Sequence, residues 1–179
     1  MGSMPDTRPV ISDFRAAGMR VILPRTSGGK VFAGPCRGPE NRRVTITYEW
    51  RGQFTNAAVN TLHAEGFDHP YLDIDWHTQV HRHSLGWVCA REDDQLAGFV
   101  NVAWDGGVHA FILDTMVATR DQHHGIGTRP IAIAVQHARA AGCEWLHVDF
   151  DDHLTAFYFQ ACGFTPTNAG LIALLSPGG

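Results

Sequence analysis

Residues Met116–Pro130, MVATRDQHHGIGTRP, run from an apolar strand end through a polar turn holding two glycines into the start of a helix. Ile112, Leu113, Met116 and Val117 make the segment before the turn apolar. Pro130 marks the first helical turn, because a proline lacks the amide that such a position leaves unpaired anyway and is harmful one turn later. The helix therefore starts between Ile126 and Arg129. Its unpaired amides and the positive end of its dipole face outward at Gly125 and Gly127, where missing side chains let a phosphate reach the backbone. The turn reads as an anion cradle.

The flanking sequence supplies the setting. RVTITYEW alternates β-branched and aromatic residues with polar ones, so a strand is expected from Val44. TNAAVNTLHAEGF predicts a helix capped by Thr55 and ending near Gly66, and a second helix is expected from Tyr71 to about His83. LGWVCARED and QLAGFVNVAWDGG predict two strands joined by a turn at Asp93-Asp94, with VHAFILDTMVAT as a third after Gly106-Gly107. Beyond the turn come a helix over 127–141, a strand EWLHVDF, a helix HLTAFYFQACGF and a last strand GLIALL. The order is antiparallel strands, then a β-α-β unit, then α-β, an α/β arrangement.

Length and composition fit one domain with a short arm. A chain of 179 residues with 44% hydrophobic and 18% charged residues is long enough for a single core. Residues 1–43 hold eight Lys/Arg against three Asp/Glu and the remainder six against fifteen, so a basic arm precedes an acidic body. The arm is rich in Gly, Pro and Arg without periodicity, is expected to take no part in chemistry, and opens on MGSM, which reads as a cloning remnant. Residues 44–179 form the expected domain. Its acidity disfavours nucleic acid and leans towards a cationic small molecule. No apolar stretch approaches the roughly 20 residues that span a bilayer, so no membrane partner and a cytoplasmic location are expected. Cys36, Cys89, Cys143 and Cys162 lie far apart and read as reduced, mostly buried thiols. His77 and His81 have metal-like helical spacing but no third ligand follows at a suitable distance, and no metal is expected.

Neither a Walker loop, which ends in Gly-Lys-Ser/Thr, nor a three-glycine dinucleotide fingerprint is present. Gln122-His123-His124-Gly125-Ile126-Gly127 matches Q/R-x-x-G-x-G/A between a strand and a helix. In this setting, with Gly163-Phe164 closing an aromatic helix downstream, the chain from Val44 to Leu175 resembles the GNAT superfamily of N-acetyltransferases. The resemblance implies a mixed, mostly antiparallel central sheet, splayed at the cofactor site and flanked by helices. It implies acetyl-CoA as cosubstrate, its pantetheine paired with the backbone of Met116, Val117 and Ala118. Its diphosphate is implied to lie on Gln122, His123, His124, Gly125, Ile126, Gly127 and Thr128, with Arg129 as an electrostatic helper.

An ammonium has no lone pair to attack a thioester, so the reaction needs a base. Asp114, an acid inside the apolar run FILDTMV, is the first candidate, since a buried charge is costly unless it serves or is paired. Asp149 is the second, and Glu49 is a candidate for the substrate pocket. Aligned on Gly163-Phe164, the superfamily's usual Y-E-K-L-G-F becomes Phe159-Gln160-Ala161-Cys162-Gly163-Phe164. Phe159 thus takes the place of the tyrosine credited with protonating the leaving thiolate, and Tyr158 stands one residue early. One residue is about 100° around an α-helix, so Tyr158 fills that role only if the helix bulges. Tyr158, Phe159 or water is left open as the acid, and Asp152 stands where the superfamily often has a cofactor-contacting asparagine. The expected acceptor is a small cationic primary amine, near Trp50, Trp87 and Trp104, attacking directly in a ternary complex on a monomer or homodimer. The alternative is a non-catalytic acyl-CoA-binding or interaction module.

Overall fold

The computed structural model describes residues 45–122, 126–172 and 174. Five strands lie in the sheet in chain order: β1 (Ile46–Trp50), β2 (Ser84–Glu92), β3 (Gln95–Trp104), β4 (His109–Val117) and β5 (Trp145–Val148). The first four pair antiparallel and β5 joins β4 in parallel, as a β-α-β crossover requires. Helices α1 (Asn56–Phe67) and α2 (Trp76–His83) pack on one face, and α3 (Thr128–Ala140) packs on the other.

Coverage on both faces explains why β2 and β3 are buried along nearly their whole length. Phe99 joins a core under α1 and α2 with Val59, Leu62, Trp76 and Met116. Its neighbour Val100 faces the opposite core with Ile112, Ile131, Ala134 and Tyr158. Trp50 stacks on His137 at a centroid distance of 4.2 Å and so ties α3 to the first strand.

Helix boundaries follow from caps. Thr55 accepts from the Ala58 amide and opens α1, while Asp68, in a left-handed conformation, closes it two residues beyond the expected Gly66. The second helix begins at Trp76 rather than Tyr71, because the Asp75 carboxylate accepts from the Thr78 amide and fixes the start there. The segment before it is held by Asn60, which is 1% exposed. The Asn60 side-chain oxygen accepts from Trp76 Nε1 at 2.9 Å and the Ile74 amide at 3.2 Å, and its Nδ2 donates to the Ile74 carbonyl at 2.9 Å. Asn60→Ala strands the buried indole donor and is expected to cost about 3 kcal/mol in urea unfolding. An unchanged midpoint would remove this clamp from the account.

Two expectations fail. GLIALL forms no strand at residues 170–172 or 174, and Leu171, Ile172 and Leu174 are exposed. Apolarity alone suggested a strand, but it makes no ladder with β5 among the described residues. Of the described cysteines only Cys89 is fully buried, while Cys143 and Cys162 are half-buried at the ends of helical segments. Cys36 lies outside the described residues. No described helix is long and apolar enough to cross a membrane.

Candidate functional site

The chemistry-bearing residues converge on an irregularity in β4. Leu113 lies opposite Asn101 and Met116 opposite Phe99, so two residues of β4, Asp114 and Thr115, oppose the single Val100 of β3. That is a β-bulge, and Asp114 takes a φ of 49°, a left-handed conformation that aspartate tolerates better than most side chains. One extra residue reverses the facing of everything after it: Ala110 and Ile112 enter the core under α3, whereas Met116 enters the core under α1 and α2.

The same point is where the sheet opens. Strands β4 and β5 pair from His109↔Trp145 to Ile112↔Val148, after which β5 ends while β4 runs on to Val117. From Leu113 onward the far edge of β4 has no strand partner among the described residues, and the expected splay is present. Part of the backbone at the exit of β4 is already engaged. The Ala118 amide donates to the Ala97 carbonyl at 2.8 Å, and Gln122 Nε2 donates to the Val117 carbonyl at 3.1 Å. The Thr119 amide donates to Glu65 Oε1 at 2.7 Å, which pins the exit of β4 to α1.

Asp114 lies on the α1 side of the sheet. Asn101 Nδ2 donates to its Oδ2 at 3.1 Å, Ser84 Oγ donates to Asn101 Oδ1 at 2.6 Å, and His63 Nε2 stands 3.9 Å from its Oδ1. Burial raises the Asp114 pKa above the ordinary carboxylate range, against the opposing hydrogen bond from Asn101. A raised pKa makes the carboxylate a stronger base once ionised, and it delays ionisation to higher pH.

Tyr158 approaches from the other side. Residues Ala156–Ala161 form a π-helix, closed by the Cys162 amide donating to the Phe157 carbonyl at 2.9 Å. An i→i+5 turn holds one residue more than an α-turn. Tyr158, five residues before Gly163, therefore stands one full turn ahead of it, the place an α-helix gives to the residue four before. Tyr158 is 2% exposed and stacks on Phe150 at 4.5 Å. Burial pushes its hydroxyl pKa up to about 12; Thr115 beside it opposes the shift, and Cys162 and Asp149 add to it. The hydroxyl thus sits by Thr115, the second bulge residue, with Asp149 nearby just after β5 ends. Phe159 instead packs edge-on against Phe150.

The cradle is described in part. His123, His124 and Gly125 lie outside the described residues. Ile126 is buried, Gly127 caps α3 with an ordinary helical φ of −69°, and Thr128 and Arg129 open the helix. A Cβ at Gly127 would lie 3.2 Å from the Phe157 ring and 3.7 Å from Val117, so this glycine stands in the angle between helix start, strand end and π-helix. Arg129 is exposed, and its charge lowers the pKa of Tyr48 on β1, against the larger effect of burial.

Some expected residues lie elsewhere. Glu49 is exposed on β1, three strands from β4, because the first strand forms the opposite edge of the sheet. Trp50 stacks under α3 and Trp104 donates to Gly107 at the β3–β4 turn, whereas Trp87 packs on Phe54 and His81 and pairs across the sheet with Asn101, the partner of Asp114. The exposed aromatics of the β4–β5 ladder are Phe111 and Trp145, with Trp145 at the end away from the splay and His109 and His147 bonded to each other at 2.8 Å. Asp152 sits in the 3₁₀ turn Asp152–Leu154. His77 Nε2 bonds to the Phe54 carbonyl, and no described cluster of three or more His, Cys, Asp or Glu can hold a metal ion. A cavity of about 490 Å³ between α1 and the β2–β3 hairpin borders Ala118 and Arg120 but neither Asp114 nor Tyr158. The sequence reading missed Asn101 and His63. Asn101 carries the signal that marked Asp114, a polar residue inside an apolar strand, but His63 carries none.

Comparison with known proteins identifies the family and the fold. The model of the acetyltransferase (GNAT) family matches residues 46–164. Among solved structures, a probable acetyltransferase from meticillin-resistant Staphylococcus aureus superposes with a TM-score of 0.62 at 17% identity, covering 74% of this chain and all of that one. An aminoglycoside acetyltransferase from an uncultured soil metagenomic sample gives 0.59 at 16% identity, covering 73% and 95%. Glucosamine-6-phosphate N-acetyltransferase from Arabidopsis thaliana gives 0.57 at 14% identity, covering 73% and 99%. No curated protein sequence matches the chain.

Proposed function

From the premise that this chain belongs to the acetyltransferase (GNAT) family and is an acyltransferase, we propose that it moves an acetyl group from acetyl-CoA to a primary amine of a small cationic molecule. The observation that carries this reading is the bulge. It puts Asp114 on one face of β4 and the Tyr158 hydroxyl, beside Thr115, on the other, at the point where β4 and β5 part.

Asp114, as carboxylate, takes a proton from the ammonium, and the freed amine attacks the thioester carbonyl directly. Tyr158 donates a hydrogen bond to the departing sulfur. A phenol held near pKa 12 is a weak acid, and a thiol of pKa about 8.5 needs little help to leave at neutral pH. Tyr158→Phe is therefore expected to lower kcat only about tenfold, well short of a full general-acid contribution. A loss of a thousandfold would make Tyr158 an obligatory proton donor. The start of α3 would receive the diphosphate at Gly127 and Thr128, and an amine acceptor suits the carboxylate and the acidic body.

Thiol release from acetyl-CoA across a panel of small amines tests the reading. Amine-dependent release supports it, with an acid limb above the ordinary carboxylate pKa of about 4, because Asp114 must ionise. Tight acetyl-CoA binding with no release for any amine would favour the non-catalytic module.

A further inference from the structure

We propose that His63 and His69 relay a proton from Asp114 to solvent, a role that rests on the reading of Asp114 as the base. The overall reaction demands an exit. An ammonium carries three protons on nitrogen and the product amide one; of the two removed, one ends on the thiol and the other must leave to water. Asp114 is partly buried beneath α1, so its proton needs a path.

A chain of contacts runs from it. Asp114 Oδ1 stands 3.9 Å from His63 Nε2, His63 Nδ1 lies 2.7 Å from His69 Nε2, and His69 Nδ1 lies 2.6 Å from the carbonyl oxygen of Pro70, an exposed residue. The far end fixes every proton. A carbonyl oxygen only accepts, so His69 carries its proton on Nδ1 and presents a lone pair at Nε2. His63 must then donate from Nδ1, which leaves a lone pair on its Nε2, facing Asp114. His63 is 3% exposed, between the Phe67 and Trp76 rings, whereas His69 is half-buried at the surface.

Burial, together with the neighbouring His69, lowers the His63 pKa to about 4, so the ring is neutral at pH 7 and able to accept. Asp114 and His69 are the titratable groups facing it; Glu65, on the same helix, turns to the Thr119 amide. The gap of 3.9 Å to Asp114 must close by about 0.7 Å for transfer, since hydrogen-bond range ends near 3.2 Å. Protonated Asp114 then gives its proton to His63 Nε2, the Nδ1 proton of His63 passes to His69 Nε2, and the Nδ1 proton of His69 leaves to water at the exposed Pro70 carbonyl. Both rings finish protonated on Nε2; once the amide has left, a proton re-entering at His69 Nδ1 drives the passage backwards, and the His63 Nε2 proton leaves through Asp114 to water in the emptied acceptor site, which restores the starting tautomers.

Two measurements on the full chain test the relay. Nitrogen-15 NMR of the resting protein at pH 7 is expected to show both His63 and His69 protonated on Nδ1; protonation of either on Nε2 alone overturns the path. His69→Gln is expected to lower kcat about tenfold without raising the KM for acetyl-CoA, and to make kcat rise with the concentration of small buffers such as imidazole, to which the wild type is insensitive. A merely structural histidine would show no such rescue. A His69→Gln enzyme with wild-type kcat and no buffer dependence overturns the relay while leaving Asp114 as base, provided Asp114→Asn is impaired. A wild type that releases no thiol with any amine overturns both.

Discussion

Asp114→Asn is expected to lower kcat by about 10²- to 10⁴-fold, roughly 3–5 kcal/mol of barrier, while acetyl-CoA affinity stays nearly unchanged. Asparagine keeps the size of the side chain and still accepts from Asn101 Nδ2 through its carbonyl oxygen, so the bulge survives. It cannot take a proton. The acid limb that ionisation of Asp114 produces should vanish from what activity remains, and a variant that keeps both rate and acid limb moves the base to Asp149 or to water. Steady-state kinetics with one accepted amine across pH, paired with calorimetric titration of acetyl-CoA, separates chemistry from binding.

Gly127→Val is expected to weaken acetyl-CoA binding by well over tenfold, more than about 1.4 kcal/mol. The backbone there has an ordinary helical φ, so valine meets no dihedral penalty and the whole effect comes from space. Its Cβ alone would come 3.2 Å from the Phe157 ring, and its γ-methyls crowd either that ring or the helix start. Either way the amides at Gly127 and Thr128 are covered or displaced. Gly127→Ala, which adds only the Cβ, should cost less. Unchanged calorimetric affinity in the valine variant would take this end of α3 out of the binding site.

The parts of the fold legible in the sequence are those written in local chemistry. Thr55, through its hydroxyl, and Asp93-Asp94 and Pro130, through their backbones, act locally, and the elements they bound lie near where the residues predict. The splay and the mixed sheet followed from the resemblance that the turn at Gly125 and Gly127 suggested. The bulge was illegible because it exists only as a pairing: FILDTMV reads as a plain apolar strand, and nothing in it shows that two of its residues face Val100. Asp114 was found for the right physical reason, a charge inside an apolar run, whereas the geometry that gives it a use depends on β3. The π-helix had a similar status. Its one-residue offset between Tyr158 and Gly163 was visible in the alignment, but whether the helix would absorb it depended on packing against Phe150 and Thr115. Glu49 stands three strands from β4 because strand order, not position within a strand, decides which residues reach the splay.

The central claim is that a single point on β4 brings base, leaving group and cosubstrate together. A crystal structure with a bisubstrate analogue, coenzyme A joined through its sulfur to a small cationic amine by an acetyl linker, tests it most directly. The account predicts the diphosphate at the start of α3, the acceptor nitrogen within about 3.2 Å of the Asp114 carboxylate directly or through one water, and the sulfur facing the Tyr158 hydroxyl. An analogue whose sulfur and nitrogen lie away from the bulge, for example in the cavity between α1 and the β2–β3 hairpin, would contradict it.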